Sequence, residues 1–380
     1  MRIHWCGTGL SSRPGLRRLI EDGHPVTVWN LPVDPAREAV GDLTDDIHPM
    51  QPERFAAALK PGDIVVSMLP AALHEPLARQ CVEQGAHFVC SSYMTDALRG
   101  LNAAALEKGL RIVCEVGLDP GIDHLMAHDL IAAYRAAPVY SRDNRLVFRS
   151  YCGGVPAIPN AFRYKFSWSP LGVLRALMAP ARSIRAGVEL SVAHPWDALR
   201  QVTLPLTPPE SFEVYPNRDS LPYLDSYGLR GAGEIREFER GTLRLTGWAE
   251  AWAEILEELR ANPSDARLQE LAGQLWQLYP LGPDEPDRVV MQVELIAEAG
   301  GRPVWHRSWV LDARGDLRGS AMARLVSGTV ALAVEAVAER ALPAGVQGAP
   351  SDPRLYLRWL DRLGSQAQVM RRVDHLQGVR

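Results

Sequence analysis

The chain has 380 residues, 47% of them hydrophobic, which is enough for two domains with sizeable cores and too apolar for a disordered polymer. Its 41 basic and 45 acidic residues leave a net charge of −4 without a long single-sign run, so neither nucleic acid nor an anionic membrane is a favoured partner, and only a small anionic ligand held by local arginines is left. Cys6, Cys81, Cys90, Cys114 and Cys152 are odd in number, scattered and without a CxxC pair, so no metal site or disulfide frame is expected and a reducing cytoplasm fits. The chain enters a strand directly, without a signal-peptide pattern, and no uninterrupted apolar run is long enough to span a bilayer.

Ile3 to Cys6 reads as a strand running into Gly7-Thr8-Gly9-Leu10-Ser11-Ser12, with helical spacing from Leu16 to Asp22. This is a G-x-G-x-x-G/A arrangement with Ser12 in third place: Gly7 allows the turn, Gly9 lets a pyrophosphate approach, and Ser12 still permits close helix packing. Strands follow at Pro25–Asn30, Ile64–Leu69, His87–Cys90 and Leu110–Cys114, with helical segments at Ala72–Gln84 and Ala97–Lys108. Such alternation predicts a doubly wound parallel sheet, an α/β Rossmann domain over residues 1–120. Asn30 stands where an acidic residue would select NAD, and no arginine follows it to accept a 2′-phosphate; Asp34 and Arg37 are nearby with opposite preferences.

Strand ends on this edge line the ligand crevice. After the fifth strand come Ser91, Ser92 and Tyr93, with Thr95 read as a helix cap. After Cys114 comes Glu115-Val-Gly-Leu-Asp119-Pro-Gly-Ile-Asp-His124, where Asp119 is either a turn former or a carboxylate facing the site. His124 to Ala136 reads as an amphipathic helix capped through Asp119 or Asp123, with His124 a packed residue rather than a catalyst.

Strands at Arg145–Ser150, Glu189–Val192, Phe212–Tyr215 and Val289–Leu295, the last paired with Val304–Leu311 across Gly300-Gly301, predict an inserted α+β domain over residues 121–318 with an antiparallel sheet. A small helical lobe occupies about 247–280, its tryptophans read as core. An Ala/Val-rich helix after Gly319 returns to the Rossmann domain within the closing segment 319–380. That segment ends in a basic helical pattern to which no role is assigned.

Five strings occur in order: Val116–His124, Ser150–Gly154, Tyr164–Pro170, Tyr215–Ser220 and Arg240–Arg244. Together they resemble the saccharopine dehydrogenase family, most closely its glutamate-forming saccharopine reductases, over about Ile3 to Val334. The resemblance implies NADPH-dependent reduction of the imine of L-glutamate and 2-aminoadipate semialdehyde, or the reverse. It places Ser92, Tyr93, Asp119, Arg218, Thr242, Leu243 and Arg244 against substrate, with Cys152 beside the reacting carbon. Asp119 is the first candidate for the nitrogen proton, with Tyr93 and Cys152 as alternatives; Cys152 also reads as a small buried residue. Arg218 binds a substrate carboxylate or forms a salt bridge to Asp219 or Glu213.

The cofactor contacts are Gly7, Gly9, Leu10, Ser12, Asn30, Leu69, Ser91, Ser92 and Ser169, for NADP(H) in preference to NAD(H). The expected partner is a small amino-acid substrate, and a homodimer is compatible with the sequence. Three departures from the family bear on substrate and cofactor preference. The connection Val155–Arg163 is short, the helical lobe is reduced, and Asn30-Leu31-Pro32 lacks the arginine-containing turn. An opine-like or carboxy-polyamine dehydrogenase on the same scaffold is the alternative enzyme, and a non-catalytic NAD(P)-binding protein the alternative class.

Overall fold

The computed structural model describes residues 1–282 and 285–377. The first third of the chain runs β1 (Ile3–Cys6), α1 (Arg13–Glu21), β2 (Val26–Asn30), α2 (Asp34–Val40), β3 (Ile47–Pro49), α3 (Pro52–Ala58), β4 (Ile64–Ser67), α4 (His74–Gln84), β5 (His87–Cys90), α5 (Asp96–Arg99), α6 (Asn102–Glu107), β6 (Arg111–Val113) and α7 (Ile122–Arg135). It continues through β7 (Arg145–Pro156), α8 (Pro170–Met178), β8 (Ala181–Arg185), β9 (Val188–Val192), β10 (Arg200–Leu204), β11 (Glu210–Pro216), α9 (Tyr223–Ser226), β12 (Glu234–Leu245), α10 (Trp248–Ala251), α11 (Ala253–Arg260) and α12 (Asp265–Leu278). The last elements are β13 (Asp287–Ala299), β14 (Arg302–Arg314), α13 (Ala321–Ala338), β15 (Gly345–Gln347), α14 (Pro353–Gly364) and β16 (Val369–Asp374).

Two compact units result, Met1–Leu125 with Leu317–Gln366, and Met126–Asp316 with Ala367–Arg380. The first is built on a seven-stranded parallel sheet of order β15-β6-β5-β4-β1-β2-β3. Its central strands are apolar and buried along their length because helices cover both faces. The strand order reverses between β1 and β4, where the crevice of such a sheet opens at the carboxyl ends.

Helix α13 packs on α1, and the close approach is made at Gly15 rather than at the third position of the glycine motif. A Cβ on Gly15 would lie 2.1 Å from the Ser327 carbonyl oxygen, and the Gly15 N–H donates to Ser327 Oγ at 2.8 Å. Ser12 instead donates its hydroxyl to the Gly9 carbonyl at 2.8 Å, which stiffens the loop. Among the described residues α13 alone is long and apolar enough to span a bilayer; 72% of it is buried inside the protein, so packing accounts for its composition.

The second unit holds a nine-stranded mixed sheet along β10-β11-β12-β7-β13-β14-β16, with β8 and β9 paired beside β12. Only β12 and β7 run parallel to each other, and β13 and β14 form the hairpin across Gly300-Gly301. The lobe of α10 to α12 packs with α8 around Trp248, Trp252, Leu259 and Leu275, so those two tryptophans are core, whereas Trp276 of α12, also expected in the core, is exposed. Another expectation fails on this unit, and one central strand was not anticipated: the basic end of the chain is not helical, and β12, a charged stretch that propensity does not favour, lies inside the sheet. Arg371 and Arg372 lie in edge strand β16, where they can reach solvent and partners across the edge, and residues 378–380 fall outside the described residues.

Candidate active site

In the first unit the glycine loop follows β1. Gly7 adopts φ +96°, and a Cβ there would press on the Met68 carbonyl and on Leu69, so Leu69 packs against the turn itself. Gly9 faces open space, as the approach of a pyrophosphate requires. The Thr8 N–H donates to Asn30 Oδ1 at 2.9 Å, and Asn30 Nδ2 donates to the Pro32 carbonyl at 2.6 Å. Asn30 therefore braces the loop, a task its position at the end of β2 left undetermined. Thr8 Oγ1 is buried without a hydrogen-bond partner, and Leu10 is exposed beside it. An orphaned hydroxyl, an open glycine and a strand–loop–helix turn together fit a dinucleotide phosphate.

Two further loops leave the carboxyl ends of β5 and β6 and are stitched together. Glu115 donates its N–H to the Ser92 carbonyl at 2.9 Å, and its carboxylate accepts from the Met94 N–H at 3.1 Å. A Cβ on Gly117 would meet Ser91 Cβ at 2.9 Å, so only glycine lets these loops touch. Gly121, at φ +148°, would drive a Cβ into the Gly117 backbone at 2.1 Å. The stitching carries half-exposed Ser91, Ser92 and Tyr93 on one loop and half-exposed Asp119 on the other. Thr95 caps α5 by accepting from the Leu98 N–H at 3.2 Å, which leaves the residues before it for the site. His124 is buried, with Glu115 and Asp123 carboxylates each 3.6 Å from its ring nitrogens.

Glu115 and His74 are the members of this region that the sequence reading missed. Glu115, at φ +57°, is the brace between the loops. His74 opens α4 and joins Ser67 to Ser92 through its two ring nitrogens at 2.8 Å each, and burial lowers its pKa to about 4. No local spacing in the sequence announced either residue, because their partners lie 18 and 21 residues away.

In the second unit strand alternation sorts the candidates. Cys152 pairs across β7 and β12 with Thr242, and Thr242 pairs with Tyr215 of β11, so these three and Arg244 share one face of the sheet. Leu243 points to the opposite face, fully buried among Phe212, Val214 and Val290. Its side chain is core, which corrects the expectation that it contacts substrate; only its backbone remains available. Ser169 is an exposed residue of this unit whose hydroxyl caps α8 by accepting from the Gly172 N–H at 3.2 Å. None of the five cysteines forms a disulfide.

Arg244 is 5% exposed and sits in an aromatic cage, its guanidinium carbon 4.9 Å from the Tyr164 ring centre and 5.5 Å from those of Tyr215 and Trp248. Its cross-strand neighbour Glu213 is no counter-ion, because the Glu213 carboxylate accepts from the N–H groups of Gly247 and Ala249 at 2.7 and 2.9 Å. Arg244 Nε, Tyr164 Oη and Trp248 Nε1 are all buried without hydrogen-bond partners. Burial raises the Tyr215 hydroxyl pKa, against the opposing pull of Arg244. A desolvated cation ringed by orphaned donors is a site for an incoming anion.

Arg218 lies in the exposed turn after β11 at φ +55°. The two acids named as alternatives for it make bonds of their own. Asp219 accepts from Arg182 at 3.0 Å, and Glu213 is taken by the backbone.

Comparison with known proteins bears on the family and the fold. Residues 117–369 match the family model for the saccharopine dehydrogenase C-terminal domain, and residues 44–113 that for the saccharopine dehydrogenase NADP binding domain. The alpha-aminoadipic semialdehyde synthase of Mus musculus is 38% identical over 207 residues, 53% of this chain and 21% of that protein. The saccharopine dehydrogenase [NADP(+), L-glutamate-forming] of Pyricularia oryzae is 34% identical over 255 residues, 64% of this chain and 54% of that protein. The chain thus spans about a fifth of the first relative and about half of the second. The structure of saccharopine dehydrogenase (L-Glu forming) from Saccharomyces cerevisiae superposes with a TM-score of 0.79 at 23% identity, covering 98% of this chain and 99% of that one, a likeness of fold. A homospermidine synthase from Legionella pneumophila shares the fold at a TM-score of 0.67, 10% identity and coverage of 98% and 91%. With its C-terminal domain model matched over two thirds of its length, the chain belongs to the saccharopine dehydrogenase family.

Proposed function

We propose that the protein is an NADP-dependent oxidoreductase acting on the secondary amine of saccharopine, or in reverse on the imine of glutamate and 2-aminoadipate semialdehyde. The observation that carries this reading is Arg244, a buried cation in an aromatic cage with no carboxylate within ion-pairing distance among the described residues. A substrate carboxylate would supply the missing charge and accept from the guanidinium fork. The same cation disfavours a purely cationic polyamine, which separates this proposal from the fold-sharing homospermidine synthase.

Gly7, Gly9 and Leu10, on a loop that Ser12 and Asn30 brace, would hold a nicotinamide cofactor, which would supply or accept the hydride when bound. The chain's own residues handle protons and orientation. In the oxidative direction the amine carbon loses hydride and the nitrogen loses a proton; water then adds to the imine carbon and the C–N bond breaks, releasing glutamate and the aldehyde. Asp119 takes and returns the nitrogen proton, with Tyr93 and Cys152 as the other acid/base candidates. Thr242 and Arg218 hold polar ends of the substrate, and Ser92 stands at the same ligand crevice. The five cysteines, none in a disulfide, support a reducing compartment, which we take to be the cytoplasm.

The test is NADPH consumption measured with glutamate, lysine or a diamine against a panel of aldehydes. Glutamate with 2-aminoadipate semialdehyde should be the preferred pair, and Asp119→Asn should keep NADPH affinity while lowering kcat and moving the pH–rate profile. Preference for a diamine would transfer the protein to the polyamine reading. Unchanged turnover in Asp119→Asn would return that residue to a turn former.

A further inference from the structure

Two buried groups outside the residues used so far form a chain with Ser92, which follows β5: Ser67 at the end of β4 and His74 at the start of α4. His74 is 4% exposed and Ser67 fully buried, whereas Ser92 is half-exposed. The Nδ1 to Ser67 Oγ and Nε2 to Ser92 Oγ distances are both 2.8 Å. No acid bears on the imidazole, and burial alone pushes its pKa down to about 4, so the ring is neutral near pH 7.

A neutral imidazole carries one N–H, so one serine donates to it and the other accepts from it. Ser67 settles which. Its only side-chain hydrogen bond among the described residues is to Nδ1. Were Nδ1 protonated, the Ser67 hydroxyl hydrogen would be buried with no acceptor, a costly arrangement. Ser67 therefore donates to Nδ1, the ring proton lies on Nε2, and Nε2–H donates to Ser92 Oγ. That bond occupies a lone pair on Ser92 and leaves its hydrogen to point away from the ring.

We propose that His74 is a positioning residue that sets Ser92 as a hydrogen-bond donor to an acceptor oxygen of the bound ligands, rather than as an acceptor. The identity of that ligand oxygen rests on the function proposed above: it is a carboxylate oxygen of the amino-acid substrate or the carboxamide oxygen of the nicotinamide. The polarity of the relay belongs to the protein alone.

The experiment has two readouts. Nitrogen-15 NMR of histidine-labelled protein should show His74 protonated at Nε2 and bare at Nδ1; a proton on Nδ1 overturns the proposal whether or not the enzyme turns over saccharopine. In the second readout, His74→Phe and Ser92→Ala should each weaken binding by about tenfold, and the double variant no further, since one hydrogen bond is at stake. His74→Gln, whose amide N–H2 can replace Nε2–H, should recover most of the loss. A loss confined to KM for the amino acid, with NADPH Kd unchanged, assigns the acceptor to substrate; a loss in NADPH Kd assigns it to the carboxamide. A folded His74→Phe with both constants unaltered contradicts the proposal, and if that variant fails to fold, the NMR result and Ser92→Ala decide.

Discussion

The two faces of the nine-stranded sheet treat arginine in opposite ways. On the face that carries Tyr151 and Glu239, the half-buried Arg149 and Arg200 and the buried Arg288 each have acids beside them. Arg149 bonds Glu237 and Glu294 at 2.6 and 2.9 Å, Arg200 reaches Glu237 and Glu239 at 2.5 and 3.1 Å, and Arg288 grips Glu210 and Asp312 at 2.8 and 2.7 Å. On the face that carries Cys152 and Thr242, Arg244 is surrounded by rings instead. Buried charge that is matched within the protein holds strands in register, and buried charge that is left to rings and orphaned donors waits for a partner from outside.

Removing a matched charge should have the largest effect. Arg149→Met strands Glu237 and Glu294 beside their remaining partners and should lower the stability of the fold by about 3 kcal/mol in urea unfolding, with little change in NADPH affinity. A loss below about 0.5 kcal/mol would mean that the paired face is solvated and the contrast between faces unreal.

Acid titration probes the same face with a defined sign. Burial works against ionisation of Glu237, but hydrogen bonds and charge from Arg149 and Arg200 outweigh it; for Glu294, His306 and Arg149 do the same. Both carboxylates are therefore held below their ordinary values. The stability they contribute is present above the unfolded carboxylate range and drains away as pH falls through their lowered folded values. His74 adds to the acid side from the other unit: its folded pKa of about 4 lies below the usual 6.5, so stability falls as pH drops from 6.5 to about 4. The difference between wild-type and His74→Gln unfolding curves over that window isolates its share, at most about 3 kcal/mol. A flat difference would show that His74 is not shielded from water.

Arg244→Lys should spare the fold and strike binding. A point charge cannot reproduce two parallel hydrogen bonds, so KM for the amino-acid substrate should rise tenfold or more, about 1.4 kcal/mol or above, with melting temperature nearly constant. The reverse pattern would make Arg244 a scaffold cation. Arg218→Lys, on the exposed turn, should raise KM by about tenfold at most, since a partly hydrated guanidinium gains less from its partner. An unaltered KM together with lost thermal stability would assign Arg218 to the turn.

How far the molecule could be read in advance follows the same physics. Runs such as Ile64–Ser67 and His87–Cys90 are legible because strands buried on both faces must be apolar throughout, and Gly300-Gly301 announces its hairpin by the left-handed backbone of both residues. Strand β12 was not legible. Glu-Ile-Arg-Glu-Phe-Glu-Arg looks like a solvated surface until β7, β8 and β10 bring Arg149, Arg185 and Arg200 to its acids. In the site, Cys152, Thr242 and Arg244 were found by their strings and grouped only by register, which also removed the Leu243 side chain. His74 and Glu115 act through partners 18 and 21 residues away, a proximity that the parallel topology creates and no local pattern announces.

The most direct measurement mixes the protein with NADP and L-saccharopine and follows NADPH formation together with glutamate release. The account expects saturable, stoichiometric formation of both, with Arg244→Lys shifting the saccharopine dependence to higher concentration and leaving the NADP dependence in place. Intact NADP binding without any NADPH from saccharopine, while a polyamine or another secondary amine is oxidised, would contradict it.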